Sequence, residues 1–363
     1  MEYKLRKFKA FTLIELMVAL GIMVIVILFA SEIFKVSIDS HRTALANAEI
    51  MQKLRAITSQ LDSDFSGLDK DGEIFVVWKA VPVRNNQYTD NDLDGYERLD
   101  RIMFFAEGDF QAYLNSSWRT APFLKSIVRG NTARICYMLA KDGTTEPESI
   151  DMPRRILART QHILTDDKDL PANLDPNNFT SEQWVEWNNL YQYDKISLEQ
   201  WKKIPVRNKI DMLSIIGDIE IIGGGSLGGS NIDEDIRGVS VDPKDPNTMH
   251  MLLCNGVGEF KIQGWDDTRK SWVPEVDPDG NGDLSDTNFF LNDSKNVPGV
   301  IYSSPLRVVA INNITYPPEQ IDRDHFNLIP GLGRALKFTF TLFDSKGIIK
   351  GGRTFTHIVY LDK

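Results

Sequence analysis

Residues 11–30 read FTLIELMVALGIMVIVILFA, an apolar run of twenty residues with a single ionisable side chain, Glu15. At a rise of about 1.5 Å per residue, a helix of this length spans the roughly 30 Å hydrocarbon core of a bilayer. The preceding residues 1–10, MEYKLRKFKA, carry four basic side chains and one acidic side chain. Because basic residues stay on the cytoplasmic side, this pattern predicts a single-pass membrane helix with a cytoplasmic N-terminus and an external body.

Three interpretations of this segment differ in how they account for Glu15. A secretory signal peptide has a shorter apolar core and a small-residue cleavage site, which Ser31 and Glu32 do not provide. A plain signal anchor has the right length but no use for a carboxylate, which costs roughly 2.5–3.5 kcal/mol near the bilayer centre. Cleavage between Ala10 and Phe11 instead creates an amino terminus four residues before Glu15. The carboxylate of one copy then pairs with the terminal amine of a neighbour, which compensates the intramembrane charge.

The stretch KAFTLIEL, residues 9–16, resembles the class III prepilin signal of type IV pilins and type II secretion pseudopilins. In that family a prepilin peptidase removes the basic leader and methylates the new terminal residue. The resemblance implies cleavage between Ala10 and Phe11, N-methylation of Phe11 and an assembly role for Glu15. It implies as partners the peptidase, other pilin or pseudopilin subunits, an inner-membrane assembly platform and membrane lipid. The family usually has Gly before the cut, where this sequence has the similarly small Ala10.

Apolar residues continue at helical spacing beyond the membrane segment. Five of them fall on one helix face: Ile50, Leu54, Ile57, Leu61 and Phe65. Gly67 is a suitable stop, and no proline occurs before residue 82. We therefore predict one helix over residues 11–65, roughly 80 Å long. Residues 31–66 are its amphipathic continuation, docked on a globular head that occupies residues 67–363.

The periodicity changes beyond residue 72. Short runs rich in branched and aromatic residues indicate strands at Ile74–Trp78, 101–105, 134–139, 249–254, 259–263, 306–311, 335–343 and 354–361. The sequence DSKG at residues 344–347 predicts a turn that joins the last two strands into a hairpin. The predicted fold class is α+β, with a long N-terminal helical spine, transmembrane in its first half, packed on a mostly antiparallel sheet.

Pieces of the head resemble the minor pseudopilin J of type II secretion and the related minor pilin W. They include QLDSDF at residues 60–65, YML at 137–139, ILAR at 156–159, LLCNGV at 252–257 and GRALKFTFTL at 333–342. This resemblance implies a minor subunit that is built into a filament through its N-terminal helix.

Residues 165–207 interrupt the strand pattern and predict an inserted short helical segment. TSEQW at 180–184 and SLEQW at 197–201 both have the pattern of a helix start with a capping box. Tryptophans at this spacing, including Trp187, are typical of core anchors. An aromatic insertion on a filament subunit also fits contact with a partner.

Two Asp-rich loops have the spacing of calcium ligands before a tight-turn glycine. Their candidate ligands are Asp90, Asp92, Asp94, Asp100, Asp277, Asp279, Asn281 and Asp283. Neither loop has the bidentate Glu at its twelfth position, so neither is a true EF-hand. Calcium binding and a solvated acidic turn both fit the pattern.

The chain has two cysteines, Cys136 and Cys254, both in apolar strand-like runs. Two cysteines exclude a disulfide-dense scaffold and a cysteine-based zinc site. As buried small hydrophobes they need no further role, and in an oxidising compartment they form a disulfide if their strands are neighbours.

The net charge of the chain is -10 at pH 7, and the basic leader contributes +3, so the rest carries -13. An acidic body does not favour broad nucleic-acid binding. A local basic patch formed by Arg154, Arg155 and Arg159 is the alternative that the composition leaves open. No P-loop or HExxH motif occurs, and the glycine-rich residues 223–229 read as a flexible loop, so we expect neither an enzyme nor a required cofactor. The sequence predicts a structural filament subunit of the inner membrane. The alternative is a membrane-anchored, calcium-stabilised binding protein that does not polymerise.

Overall fold

The computed structural model describes residues 12–69, 74–78, 80–82, 96–98, 100–113, 127–142, 155–166, 192–203, 240–241, 244, 248–266, 270–273, 299–303, 308–311 and 332–361. Within these residues the helices are α1 (Leu13–Ser66) and α2 (Leu198–Lys203), and a 3-10 turn covers Met249–Met251. The strands are β1 (Ile74–Trp78), β2 (Ala80–Pro82), β3 (Tyr96–Arg98), β4 (Arg101–Tyr113), β5 (Ile127–Asp142), β6 (Ile156–Leu164), β7 (Tyr193–Asp194), β8 (Ser240–Val241), β9 (Leu252–Asn255), β10 (Val257–Asp266), β11 (Ser271–Val273), β12 (Gly299–Ser303), β13 (Val308–Ile311), β14 (Leu332–Leu342) and β15 (Arg353–Tyr360).

Among the described residues, the strands form two main sheets. The larger sheet has nine strands, in the order β13-β12-β1-β4-β5-β6-β7, with β8 paired to β5 and β9 paired to β6. The smaller sheet has the order β11-β10-β14-β15, and β2 and β3 form a separate pair. Only the short pairings of β8 and β7 within this described set are parallel. The predicted α+β fold with a helical spine and mostly antiparallel sheet is confirmed.

Helix α1 begins after its N-cap, Thr12, and ends at Gly67. The predicted apolar face is confirmed, because Ile50, Ile57, Leu61 and Phe65 are buried and Leu54 packs against them. Gly67 has a φ of -97°, so it does not end the helix through a left-handed conformation. A side chain at Gly67 would instead collide with the carbonyl oxygen of Glu107 on β4. The glycine therefore allows the helix end to meet the sheet closely.

The core lies where α1 meets both main sheets. The ring of Phe65 stacks on Phe104 of β4 at 4.2 Å between centroids, and it lies 5.7 Å from Phe338 of β14. Buried side chains of β5, β10 and β14 complete the same apolar cluster. One aromatic residue at the end of the spine thus contacts both sheets, and burial of this apolar area is the main force that holds spine and head together.

The predicted hairpin of β14 and β15 is confirmed, with Leu342 opposite Arg353 beside the turn. One strand prediction was wrong in its bounds, because Met249–Met251 is a 3-10 turn that precedes β9. The sequence did not indicate β6 as a strand. That strand carries Arg159 and His162, which interrupt the apolar pattern expected of a buried strand. In the structure both side chains are paired with carboxylates.

Candidate assembly site on the N-terminal helix

The carboxylate of Glu15 lies in the first turn of α1, in a capping box with Thr12. The backbone N–H and the hydroxyl of Thr12 both donate to Oε2 of Glu15, at 2.9 and 3.0 Å. The N–H of Glu15 donates in return to Oγ1 of Thr12 at 3.3 Å. Within the part of the chain that the structure describes, no hydrogen bond is formed by Oε1, and the side chain is exposed. One oxygen of this carboxylate is therefore held by its own helix, and the other is accessible to a cation from another chain.

The role of Thr12 was not inferred from the sequence. The pattern T-x-x-E at residues 12–15 is a capping-box signature and could have identified it. Ala10 and Phe11, the predicted cleavage and methylation residues, lie outside the described residues. Cleavage between them stays a prediction, and it would place the capping threonine second in the mature chain.

The first part of α1 projects from the head without packing against it. Residues 12–45 are exposed except for the half-buried Ala30. Over about 1.5 Å per residue this is a projection of roughly 50 Å. Within the described residues α1 is the one helix long and apolar enough to cross a membrane, and none of its most apolar window is buried. An apolar surface of this size requires lipid or neighbouring protein to cover it.

Exposed apolar side chains continue beyond the predicted membrane segment. Phe34 is 69% exposed and Ile38 is 50% exposed, and both precede the first buried residue of the helix, Ala46. Lipid covers only the span of about twenty residues that fits the bilayer core. The exposed apolar surface of α1 is therefore longer than the predicted membrane segment.

A largely buried ion pair joins the end of α1 to the nine-stranded sheet. The guanidinium of Arg159 donates to both carboxylate oxygens of Asp64, at 2.6 and 2.7 Å, in a bidentate arrangement. Tyr137 donates its hydroxyl proton to the same carboxylate, and Gln60 adds a bond at 3.0 Å. Burial lowers the pKa of Arg159, but the bonds and the charge of Asp64 outweigh it and raise the pKa overall. The pair fixes the end of the helix on the head.

Further polar contacts hold α1 where it enters the head. Lys53 donates to the carbonyl oxygen of Phe343 at 2.7 Å and pairs with Glu49 at 2.9 Å. The carboxylate of Glu49 accepts the N–H and hydroxyl of Ser345. Burial raises the pKa of Glu49, but Lys53 and Ser345 outweigh it, so the net shift is downward. The spine is thus attached to the head at both ends of its buried stretch, so a force on the helix is transmitted to the head.

On the opposite face of the nine-stranded sheet, side chains of residues 192–203 contact β4, β5 and β6. Asp194 accepts two bonds from Arg134, at 2.8 and 3.3 Å, and lies 3.0 Å from Nδ1 of His162. Trp201 is 2% exposed and packs edge-on against Phe105 at 5.4 Å. The predicted helix start at residue 197 is confirmed as the start of α2, and the core interpretation is confirmed for Trp201. The other predicted start and Trp187 lie outside the described residues.

Acid is expected to weaken the head through Asp194. Burial raises the pKa of this carboxyl, but Arg134 and His162 outweigh it and hold the pKa well below its usual range. A depressed folded-state pKa contributes stability above the unfolded value of about 3.9, and that stability is lost as the pH falls below it. We therefore expect the free energy of unfolding to fall between about pH 5 and pH 2, as measured by denaturant titration at each pH. In Asp194→Asn this acid-dependent part should be smaller. If the free energy of unfolding fell equally steeply with pH in both proteins, Asp194 would not be the source of the acid sensitivity.

One candidate calcium ligand lies within the described residues. The Asp100 side chain is fully buried, and its Oδ2 accepts the N–H of Ile262 at 2.7 Å. This bond ties the segment before β4 to β10. The remaining seven candidate ligands lie outside the described residues. Within the described residues, no group of three His, Cys, Asp or Glu side chains is arranged for a metal ion.

The two cysteines do not meet the condition for a disulfide. Both are buried free thiols, and β6 lies between their strands, pairing with Cys136 through Thr160 and with Cys254 through Leu157. Strands two positions apart are roughly 9–10 Å from each other, beyond the usual Cα separation in a disulfide. Cys254 also faces the core under α1, whereas Cys136 alternates with the core residues of β5 and faces the other side. Burial raises the pKa of each thiol to about 11.

The arginines considered for a basic patch are used inside the head. Arg155 is buried and donates to the carbonyl oxygen of Gly258 at 2.9 Å, and Arg159 is paired with Asp64. Neither presents its charge to a phosphate backbone. Arg154 lies outside the described residues.

An exposed apolar helix with a carboxylate in its first turn, attached to a sheet-rich head, fits a membrane-anchored protein. Residues 5–31 match the prokaryotic N-terminal methylation motif. This motif and the long apolar helix fit a type IV pilin-like protein with a prepilin signal and a membrane anchor. The signal implies processing by a peptidase and association with other pilin subunits, and it points to a structural subunit and away from an enzyme. No curated protein and no solved structure matches the chain. The likeness of the head to the J and W subunits stays a prediction.

Proposed function

We propose that the chain is a minor pseudopilin or minor pilin of a type II secretion or type IV pilus-like filament. The observation that carries the proposal is the carboxylate of Glu15, held in the first turn of a helix whose next thirty residues are almost all exposed. A signal anchor has no use for this charge, whereas a filament of packed helices supplies a counter-charge for it. Because α1 is firmly attached to the head, assembly of the helices carries the head with them.

The assembly step follows from the geometry of the first turn. Cleavage between Ala10 and Phe11 releases a primary amine that is positively charged near neutral pH. In a bundle of such helices, the amine of one subunit pairs with the free oxygen of Glu15 in the next. Thr12 occupies the other oxygen and keeps the side chain folded toward the start of its own helix. Two charges that are each unfavourable in lipid thus neutralise one another.

The charge pattern supports an orientation and a location for the chain. The basic leader, residues 1–10, places the N-terminus in the cytoplasm and the head on the far side of the inner membrane. Peptidase and assembly platform then act at the membrane, and the head is carried into the periplasmic or extracellular part of the filament.

Processing is tested directly by mass spectrometry of the mature protein. We expect an N-terminal peptide that begins with N-methylated Phe11, because the peptidase cuts after the small residue Ala10. The variant Ala10→Leu, whose larger side chain should block the cut, serves as the control and should keep the leader. An intact Met1 on the wild-type protein taken from its membrane would contradict the proposal.

Calcium is the cation that the two Asp-rich loops would take, since hard oxygen ligands neutralise its charge. We expect the melting temperature of the head to fall when a chelator removes calcium, because a cation that binds only the folded state stabilises it. Magnesium added with the chelator is the control and should not restore it. If the melting temperatures of Asp92→Asn and Asp279→Asn both equalled that of the wild type, neither loop would be a calcium site.

The alternative function is a membrane-anchored binding protein that never polymerises. It shares the anchor and the head but gives no role to Glu15. Cross-linking of α1 between copies in the membrane separates the two functions, because only a filament subunit places these helices side by side.

A further inference from the structure

Strand β15 forms one edge of the four-stranded sheet. Within the part of the chain that the structure describes, it pairs with β14 and with no other strand. Its eight residues pair in one unbroken register, from Arg353 opposite Leu342 to Tyr360 opposite Ala335. The strand is therefore long and regular, and its outer side is an edge.

The outer edge of β15 carries backbone groups that β14 cannot satisfy. The N–H of Leu361 donates to the carbonyl oxygen of Arg334, so these two residues form a hydrogen-bonded pair of the ladder. Hydrogen-bonded and non-hydrogen-bonded pairs alternate along antiparallel strands. The N–H and C=O groups of Thr354, Thr356 and Ile358 therefore point away from β14, and they bond no other described residue. Three donors and three acceptors lie in a row on this edge.

The other edges of the two main sheets are short. Proteins protect sheet edges with short strands, bulges, proline or lysine. Among the described residues, the edge strands β7, β11 and β13 have two, three and four residues. In contrast, β15 has eight residues and contains no proline, lysine or bulge. An edge of this kind pairs readily with another extended chain, so we expect an assembly partner to cover it.

The side chains along this edge also suit strand pairing. Those of Thr354, Thr356 and Ile358 are uncharged and exposed on one face of the sheet. The hydroxyl of Thr354 bonds that of Thr341 at 2.9 Å, and Thr356 bonds Thr339 at 3.4 Å, which ties the edge to β14. Branched residues of this type favour the extended backbone. The edge is thus held as a strand before any partner arrives.

Strand β15 runs alongside α1. Ser345, in the turn before the strand, bonds Glu49, and His357 within the strand bonds Asp62 at 2.8 Å. These two acids are about 20 Å apart along the helix axis. The strand therefore runs in the direction of the helix, away from the predicted membrane segment. Subunits that pack beside α1 in the proposed filament come next to this edge.

We propose that the outer edge of β15 pairs with an extended segment of a neighbouring, different pilin-type subunit, which adds a strand to the four-stranded sheet. The inference rests on the proposed function, because a minor subunit is surrounded in its filament by subunits of other kinds. The edge recognises extended backbone, whose N–H and C=O groups meet those of Thr354, Thr356 and Ile358. Main-chain bonds supply the affinity, and Ile358 favours an apolar side chain opposite it.

The test is hydrogen–deuterium exchange of the full-length chain, measured by mass spectrometry of the peptide that covers residues 353–361. The detergent-solubilised chain is compared with the sheared filament fraction of cells that hold its partner subunits. We expect about three fewer fast-exchanging amides in the filament, because the N–H groups of Thr354, Thr356 and Ile358 become bonded. The internal control is the peptide that covers residues 335–342 of β14. This strand is paired on both sides, so its exchange should not change.

Two variants at residue 356 test whether backbone pairing causes the protection. Thr356→Pro removes the outward N–H and leaves the bonds to β14, because proline is tolerated on an edge strand where the N–H faces solvent. Thr356→Val keeps the N–H and the shape of the side chain. Proline should lower incorporation into filaments about fivefold, as expected for one lost hydrogen bond, and valine should leave it unchanged. Near-ultraviolet circular dichroism of the solubilised variants checks their fold. If the proline variant does not fold, the exchange of the wild-type chain decides alone.

The outcomes separate the strand pairing from the filament. Wild-type chain that enters filaments without gaining protection in residues 353–361 would overturn the pairing and leave the filament standing. Absence of the chain from the filament fraction would overturn the proposed function and the pairing together. Protection that also appears when the solubilised chain is concentrated would assign the edge to a second copy and overturn the proposal. Equal incorporation of folded proline and valine variants would show that the edge is not paired through its backbone.

Discussion

Replacing Glu15 by Gln is expected to stop incorporation into filaments while leaving the protein folded and membrane-bound. Glutamine keeps the capping box, because a Gln at the same position also accepts from the threonine N–H. It removes only the charge that pairs with the neighbouring amine. Breaking one partner of a desolvated charge pair costs about 2–5 kcal/mol, so incorporation should fall by tenfold or more. The measurement is quantitative blotting of sheared filament and membrane fractions.

Two variants make this result specific to the charge at residue 15. Glu32→Gln removes an exposed carboxylate from the same helix beyond the membrane segment and should assemble like the wild type. Thr12→Val keeps the charge and removes the hydroxyl bond to Glu15, so a smaller loss is expected. Normal incorporation of Glu15→Gln would show that the carboxylate has no part in assembly, and the non-polymerising alternative would then stand.

The second large effect is expected at Asp64, where the spine is tied to the head. Asp64→Ala leaves the largely buried guanidinium of Arg159 without its charged partner, although its bond to Gln161 remains, and breaking a buried pair costs up to about 3–5 kcal/mol. Tyr137 loses its acceptor in the same variant. We expect unfolding at a clearly lower denaturant concentration, measured on the detergent-solubilised chain by near-ultraviolet circular dichroism.

A double-mutant cycle identifies the source of that loss. Asp64→Ala combined with Arg159→Met replaces both charges with apolar groups and should recover much of the stability, because the buried charge is gone. Asp62→Ala is the matched control on the same turn. Asp62 is exposed and bonds His357 at the surface, so its loss should cost under about 1 kcal/mol. Equal effects of the changes at residues 62 and 64 would contradict the role given to the buried pair.

Much of the spine could be predicted because helix signals are local. The apolar run of residues 11–30 and the face from Ile50 to Phe65 depend only on spacing along the chain. The last hairpin was equally accessible, since turn residues and alternating strands lie within thirty residues of one another. The threonine that holds Glu15 was also within reach, because the capping box spans only four residues.

The contacts that attach spine to head were not accessible in this way. Asp64, Tyr137 and Arg159 are up to 95 residues apart, and nothing in their local sequence distinguishes this carboxylate from the exposed one at residue 62. The buried partners of Asp194 were hidden for the same reason. Pairing of distant polar groups depends on which strands become neighbours.

The cysteines also show that local sequence does not determine which distant residues meet. Two thiols in apolar strands allowed a disulfide, and only the strand order and the alternation of faces placed them on opposite sides of the sheet.

The sequence by itself determined the long apolar helix, the carboxylate in its first turn and the α+β class, because each is set by periodicity and charge over a few neighbouring residues. Only the tertiary structure decided how the helix is fixed to the head and which charged side chains are paired inside the fold. These depend on contacts between residues far apart in the chain. Such contacts form when burial of apolar area brings the two sheets and the helix together, and local sequence does not encode their partners.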